Sequence, residues 1–277
     1  MSLLSELMAP PGSAEIAPVP RFEDLLAEGA AVPTEGWDFS WFAGRASEER
    51  PPWGYARGLG ERMSALAGLP GAAALDLQTG GGEVLASVPA APPVLVATEC
   101  WPPNIDVARR NLAPLRGRVV PMAAELDDLP FADASFDLVT SRHPVAVCWD
   151  EVARVLKPGG TYFSQDVGDG SVRELTEFMM GPQPRRAGPS RAPKWSVQAA
   201  ASAGLEVVDL REFRGRMEFG DVAAVVYFLR KVIWIVPGFT VAGYEDRLRA
   251  LHEQIQARGP FVATSVRFLI EARRPYR

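Results

Sequence analysis

Residues 73–82 read Ala73-Ala74-Leu75-Asp76-Leu77-Gln78-Thr79-Gly80-Gly81-Gly82, and this stretch decides the fold. Its first five residues form a short apolar run bounded by turn residues, the pattern of a buried strand. The three glycines that follow let the backbone turn and let a ligand approach it closely. A helical stretch begins at Glu83. A second strand, Val94-Leu95-Val96-Ala97-Thr98-Glu99, then ends on an acid 23 residues after Asp76. An acid there is placed to accept hydrogen bonds from ribose hydroxyls. The pair of features implies a nucleoside-containing ligand at the switch point of a sheet.

Downstream, strands and helices keep alternating. A helix is predicted over 104–112, strands over 119–122 and 136–140, and a helix over 150–156 that stops at Lys157-Pro158-Gly159-Gly160. A fifth strand follows over 161–165. This spacing argues for a doubly wound, mostly parallel α/β sheet. Beyond Gly168 the reading is a helix over 173–180, a helix over 195–203, a strand over 205–213, two helices over 221–236 and 243–258, and a last strand over 261–272. Residues 181–194 hold four Pro, two Gly, four bases and no acids, and read as a mobile loop. Upstream, residues 1–20 have no clear period and read as loose. Short helices are expected over 22–28 and 57–69. Between them stand Trp37, Phe39, Trp41 and Phe42, then Pro51-Pro52-Trp53-Gly54-Tyr55. Aromatics this dense suggest a cap docked on the main domain.

The chain has 277 residues and a net charge of -5, with 47% apolar and 23% charged residues. That excludes a disordered or collagen-like chain. Residues 1–36 contain six acids and one base, which equals the whole net charge. Residues 37–277 are therefore balanced, and neither part has the basic excess of a general nucleic-acid binder. Two cysteines are too few for a disulfide scaffold, and no Cys/His cluster has metal-ligand spacing. The N-terminus lacks the pattern of a secretory leader. The longest apolar stretch, 222–239, is broken by Arg230 and Lys231, so it reads as a buried or amphipathic helix and not a membrane span. These features predict a soluble, cytoplasmic protein.

A dinucleotide site wants G-x-G-x-x-G, but counting from Gly80 the third position is Leu85; the P-loop pattern is absent. The spacing instead resembles the first motif of the class I S-adenosyl-L-methionine (SAM)-dependent methyltransferases, an acid followed by G-x-G-x-G. Gly80 and Gly82 match, and Gln78 replaces the first glycine. The resemblance continues in Glu125-Leu126-Asp127-Asp128-Leu129-Pro130-Phe131, in Ser135-Phe136-Asp137-Leu138-Val139, and in Glu151 with Arg154-Val155-Leu156-Lys157-Pro158-Gly159-Gly160. These are similar to successive motifs of the type 11, UbiE-like family, over roughly residues 72–168.

The resemblance implies a Rossmann-like seven-stranded sheet, with an N-terminal helical cap (1–70), a SAM-binding core (71–277), lid segments 171–195 and 221–258, and a helical insertion before the last strand. It implies that Asp76, Gln78 and the backbone of Thr79 to Gly82 hold the methionine end of SAM, with Ser141 nearby. Glu99 holds the ribose. Glu125 faces the adenine amino group and Leu126 gives a backbone contact, with Asp127 or Asp128 as alternatives. Cys100 and Trp101 flank the adenine. If the Gln78 position needs φ > 0, a non-glycine residue there costs about 1 kcal/mol.

Methyl transfer from a sulfonium is an in-line displacement, for which the protein mainly supplies alignment and a dry pocket. His143, just past the fourth strand, is a candidate base or acceptor-orienting group. The alternative is a histidine that fixes the turn before Pro144. Asp166, ending the fifth strand, is a second candidate, and a loop-capping acid is its alternative. Tyr55 is a candidate to close over the sulfonium by a cation–π contact, or else packs in the core. His252 is expected to face solvent. Trp195, Phe219, Tyr227 and Trp234 are candidate pocket walls, most of them expected in the core. The bases Arg185, Arg186, Arg191 and Lys194 suit an acidic substrate or form a solvated face. The expected activity is methyl transfer to a small-molecule acceptor, with a homodimer left open. RNA or protein methylation, and a catalytically weak SAM-binding protein, are the alternatives.

Overall fold

The computed structural model describes residues 20–124, 128–184 and 191–276. In chain order the elements are α1 (Phe22–Ala31), β1 (Ala46–Glu48), α2 (Tyr55–Ala67), β2 (Ala73–Leu77), α3 (Glu83–Ala86), β3 (Val94–Glu99), α4 (Pro102–Leu112), β4 (Arg118–Pro121), β5 (Phe136–Arg142), α5 (Trp149–Val155), β6 (Leu156–Val167), α6 (Arg173–Met180), α7 (Pro193–Ser202), β7 (Glu206–Phe219), α8 (Val222–Lys231), α9 (Glu245–Arg258) and β8 (Phe261–Arg273).

Among the described residues the strands form one sheet in the order β1-β7-β8-β6-β5-β2-β3-β4. β2, β3, β4, β5 and β6 pair in parallel. β8 runs against both β6 and β7. The sheet is thus α/β and mostly parallel, as expected, but it has eight strands and not seven. The extra strand is β1, which lies in the aromatic segment and pairs antiparallel with β7. Ala-Ser-Glu carries no strand-like apolar alternation, so only its backbone pairing marks it. β7 also runs six residues beyond its predicted end, over residues that alternate between charged and apolar.

Successive side chains on a strand point to opposite faces. On β6, Phe163 joins one core with Tyr55, Leu59, Met63, Leu85, Leu95 and Leu112. Tyr162 joins the opposite core with Leu75, Val139, Val152, Phe268 and Ile270. A third cluster unites α1, α6, α8 and α9. Every residue of α8 from Val222 to Leu229 is buried in it, and Asp221 caps the helix by accepting from Ala224 N at 2.8 Å. Phe219 (0% exposed) and Tyr227 (2%) lie in that core and are not pocket walls. His252 is half-buried with its ring 5.6 Å from Phe22, where the sequence suggested solvent. No helix of the described residues is long and apolar enough to cross a membrane.

The chain leaves β2 for β3 and β4 on one side, then returns to place β5 on the other. That reversal opens a crevice at the carboxyl ends of β2 and β5, the usual ligand position in such sheets.

Candidate functional site

The turn after β2 lies at this crevice. Gln78, Gly80 and Gly82 all have positive φ, at 53°, 63° and 74°. Glycine adopts such angles freely and glutamine does not. Gln78 is held there by its own side chain. Its Nε2 donates to Ala146 O at 2.6 Å, and its Oε1 accepts from Val145 N at 2.7 Å. The residue that departs from the glycine pattern therefore ties the β2 turn to the loop after β5. Gln78→Ala is expected to lose both bonds and cost roughly 1–2 kcal/mol of stability. A urea titration measures the loss, and faster amide exchange at Val145 locates it.

Gly80 is required by a neighbour that sequence reading did not connect to it. A Cβ at Gly80 would lie 1.9 Å from Trp37 Cδ1, so the indole rests directly on the turn. The segment that carries Trp37 is fastened there. Gly36 N donates to Asn104 Oδ1 at 2.8 Å and Trp37 N to Glu83 Oε1 at 2.9 Å. Trp37 also meets Trp234 in a tilted contact, at 5.8 Å between centroids. Gly80→Ala combines positive-φ strain with this overlap and is expected to destabilise the fold by roughly 2–4 kcal/mol. Equilibrium unfolding followed by tryptophan fluorescence checks it.

Asp76 ends β2 almost fully buried, and Thr140 Oγ1 donates to it at 2.6 Å. Burial outweighs that bond and pushes the carboxyl up to about 6. Glu99 ends β3, also buried, and its Oε1 accepts from Cys100 N and Trp101 N, both at 2.9 Å. Burial raises Glu99 as well, against these backbone bonds. Thr79 Oγ1 is buried beside the Asp76 carboxyl, whose ionised form it favours. Beside these groups lies a slot walled by Leu77, Glu99, Cys100, Met122, Leu129 and Val147, among others. It encloses about 20 Å³, the room of a single water. Neither cysteine forms a disulfide. Trp101 is exposed. Glu125, Leu126 and Asp127 lie outside the described residues, as do Arg185 and Arg186; Asp128 is exposed.

Across the crevice, β5 and β6 bring the catalytic candidates together. His143 has φ 56° and its N donates to Gln165 O at 2.7 Å. Its Nε2 lies 3.0 Å from Gln165 Nε2. Trp53 Nε1 donates to Gln165 Oε1 at 2.8 Å, which fixes the amide and turns its NH₂ toward the histidine. His143 Nε2 is then an acceptor and the proton sits on Nδ1. Burial, with Arg142, Arg267 and Arg191 nearby, holds the imidazole well below its usual range. This corrects one half of the sequence reading. A neutral ring whose Nε2 lone pair is already engaged is a poor base, and it remains a donor that can orient a ligand.

Asp166 is 7% exposed and accepts a short hydrogen bond from Ser164. Burial pushes it up to about 6. Tyr55 is 5% exposed, stacks flat on Phe163 at 5.1 Å and donates to Ser141 O at 2.8 Å. It is a core residue whose ring is held by Phe163 and whose hydroxyl is spent on Ser141 O. Ser141 is fully buried and its Oγ donates to Leu77 O at 3.0 Å. It joins the ends of β2 and β5 and does not face the crevice, against the expectation of a cofactor contact. Arg191 reaches back to this loop, with Nη2 donating to Val145 O at 3.1 Å. No group of metal-ligand type appears among the described residues.

Residues 75–164 match a family model described as a methyltransferase domain. A demethylmenaquinone methyltransferase of Clavibacter sepedonicus is 38% identical over 102 residues, covering 35% of this chain and 41% of that protein. The chain thus matches about two fifths of the length of this curated relative. Among solved structures, the YcgJ protein of Bacillus subtilis aligns at 18% identity and a TM-score of 0.52, over 79% of this chain and 98% of that one. A Bacillus halodurans C-125 protein crystallised as a candidate methyltransferase aligns at 19% identity and a TM-score of 0.51, over 78% and 98%. At these identities the structural likeness establishes the fold.

Proposed function

We propose, from the match of residues 75–164 to a methyltransferase-domain model, that the chain moves a methyl group from SAM to a small-molecule acceptor. The observation that carries this reading is the slot at the switch point, walled by Leu77, Gln78, Thr98 and Glu99 among others, with the buried Asp76 one residue before Leu77. The donor set fits the cofactor. Glu99 lines the slot with a carboxylate that accepts hydrogen bonds, and the apolar walls suit an adenine ring. The walls must part to admit it, since the slot now has the room of one water.

Bound there, SAM supplies a methyl group on a sulfonium. The protein's share is positioning and proton handling. Gln78 and Ser141 keep the β2 turn and the β5 loop at a fixed separation. His143 offers its Nδ1–H to orient the acceptor. Asp166, poised near 6, takes a proton from a hydroxyl acceptor as its oxygen attacks.

Binding of S-adenosylhomocysteine (SAH) to the purified protein, measured by calorimetry, tests the cofactor. Transfer from labelled SAM into metabolite, RNA and protein fractions tests the acceptor class. A second reading, a SAM-fold protein with a closed cleft, is favoured by the Gln78 clamp and by Trp37 resting on Gly80. Failure to bind SAH would select it.

A further inference from the structure

The chain has two cysteines, and the fold brings both to one place. Cys100 directly follows β3, and Cys148 directly precedes α5. Both line the slot at the switch point, together with Gln78, Glu99, Ala146 and Val147. β3 and β5 flank β2 in the sheet. The slot therefore has one wall from the end of β3 and another from the segment between β5 and α5. Cys100 belongs to the first wall and Cys148 to the second.

The backbone that carries each thiol is held. Cys100 N donates to Glu99 Oε1 at 2.9 Å. On the other wall the Gln78 side chain bonds Val145 N and Ala146 O, and Cys148 O accepts from Val152 N at 3.0 Å. Both cysteines are partly exposed, so a small solute can reach them, and neither is in a disulfide. The slot between them encloses about 20 Å³, the room of a single water. A substituent on either sulfur takes up that room. It then blocks the other thiol and any ligand that parts the walls. By reciprocity, a ligand between the walls shields both thiols.

We propose that Cys100 and Cys148 form one thiol-modification site, which takes a single adduct from a low-molecular-weight disulfide and then excludes a nucleoside from the slot. That the excluded ligand is the methyl donor rests on the methyltransferase reading. In the exchange one cysteine loses its proton to solvent, and its thiolate attacks a sulfur of the disulfide. A bond forms between protein and reagent sulfurs, the reagent's own S–S bond breaks, and its other half leaves as a thiolate. The cysteine sulfur is oxidised and the leaving sulfur reduced, so the disulfide is itself the oxidant. Excess small thiol reverses the step.

The test treats the full chain with hydroxyethyl disulfide and follows adducts by intact mass. Wild type, Cys100→Ser, Cys148→Ser and the double variant are each compared with their own untreated form. Folded wild type should gain one adduct with the second delayed, or the second thiol should expel the first adduct and close an internal disulfide. Unfolded in urea, it should gain two without delay. Each single variant should react without delay when folded, which shows that both thiols are reachable and that one adduct blocks the other. Treated wild type should bind SAH about 100-fold or more weakly, and mercaptoethanol should restore it. SAH at about 100 times its Kd should slow the exchange about 100-fold. The double variant should keep its untreated affinity. Two adducts formed at equal rates in folded wild type, or a single variant that does not react, overturn the shared site. Unchanged SAH affinity in the modified chain overturns the exclusion. Failure of untreated wild type to bind SAH overturns the methyltransferase reading instead, and the adduct count still decides whether the thiols share one site.

Discussion

Glu99→Ala should weaken SAH binding about 100-fold or more. The magnitude follows from what a buried carboxylate contributes. Each hydrogen bond to a charged group is worth about 1.5–3 kcal/mol, and a ribose diol offers two. The surroundings of Glu99 sharpen the expectation. Its Oε1 is already used by Cys100 N and Trp101 N at the start of α4. Gly80 N and the Asn104 side chain bond to this carboxylate as well, so alanine leaves several donors without an acceptor besides removing the ribose partner, and some fold stability is lost too. Glu99→Gln separates the two effects. Its amide oxygen still caps Cys100 and Trp101, while its NH₂ cannot accept from a hydroxyl. The glutamine variant should keep more stability than the alanine variant and still bind SAH about tenfold or more weakly. Calorimetry beside thermal unfolding reads both. Wild-type affinity in Glu99→Gln would remove Glu99 from the ribose site.

The parts of this site that were legible in sequence are those written into contiguous residues. β2 and β3 are buried on both faces, so each is a short unbroken apolar run, and their ends stand out because Asp76 and Glu99 are acids against that background. What was not legible depends on which distant segments meet. The Gln78 clamp needs residues 145–146 brought within hydrogen-bond reach, and nothing near Gln78 announces that. Trp37 stood out only as one of a crowd of aromatics, and its rest on Gly80 follows from the way Asn104 and Glu83 anchor residues 36–37. Trp53 and Gln165, which decide the tautomer of His143, are 112 residues apart. β1 escaped because a three-residue edge strand is specified by its partner and hardly at all by its own residues.

Asp166→Asn should lower the turnover of the acceptor found in the labelled-donor screen about 100- to 10,000-fold, the usual worth of a positioned general base. It should also stabilise the protein at neutral pH, and the opposed signs are what make the test specific. Burial lifts the Asp166 carboxyl from its ordinary 3.8 to about 6 in the folded state. Between those two values the folded chain holds a proton that the unfolded chain releases. Stability therefore falls as pH rises through this window and levels off above about 6. The loss is roughly 3 kcal/mol at most for one group, and Asp76, raised to about 6 in the same way, adds with the same sign. Asparagine carries no charge to desolvate, so Asp166→Asn should flatten part of this slope and unfold at a higher urea concentration than wild type at pH 7. The wild-type rate moves the other way. It should climb with pH through about 6 and reach a plateau, because only the ionised carboxylate accepts the acceptor's proton, and this limb should vanish in Asp166→Asn. His143→Gln discriminates the neighbour. Glutamine keeps a donor without a titrating ring, so it should change KM more than the pH profile. A limb at 6 that survives in Asp166→Asn and disappears in His143→Gln would transfer the proton to the histidine and overturn the assignment drawn from its Nδ1–H tautomer.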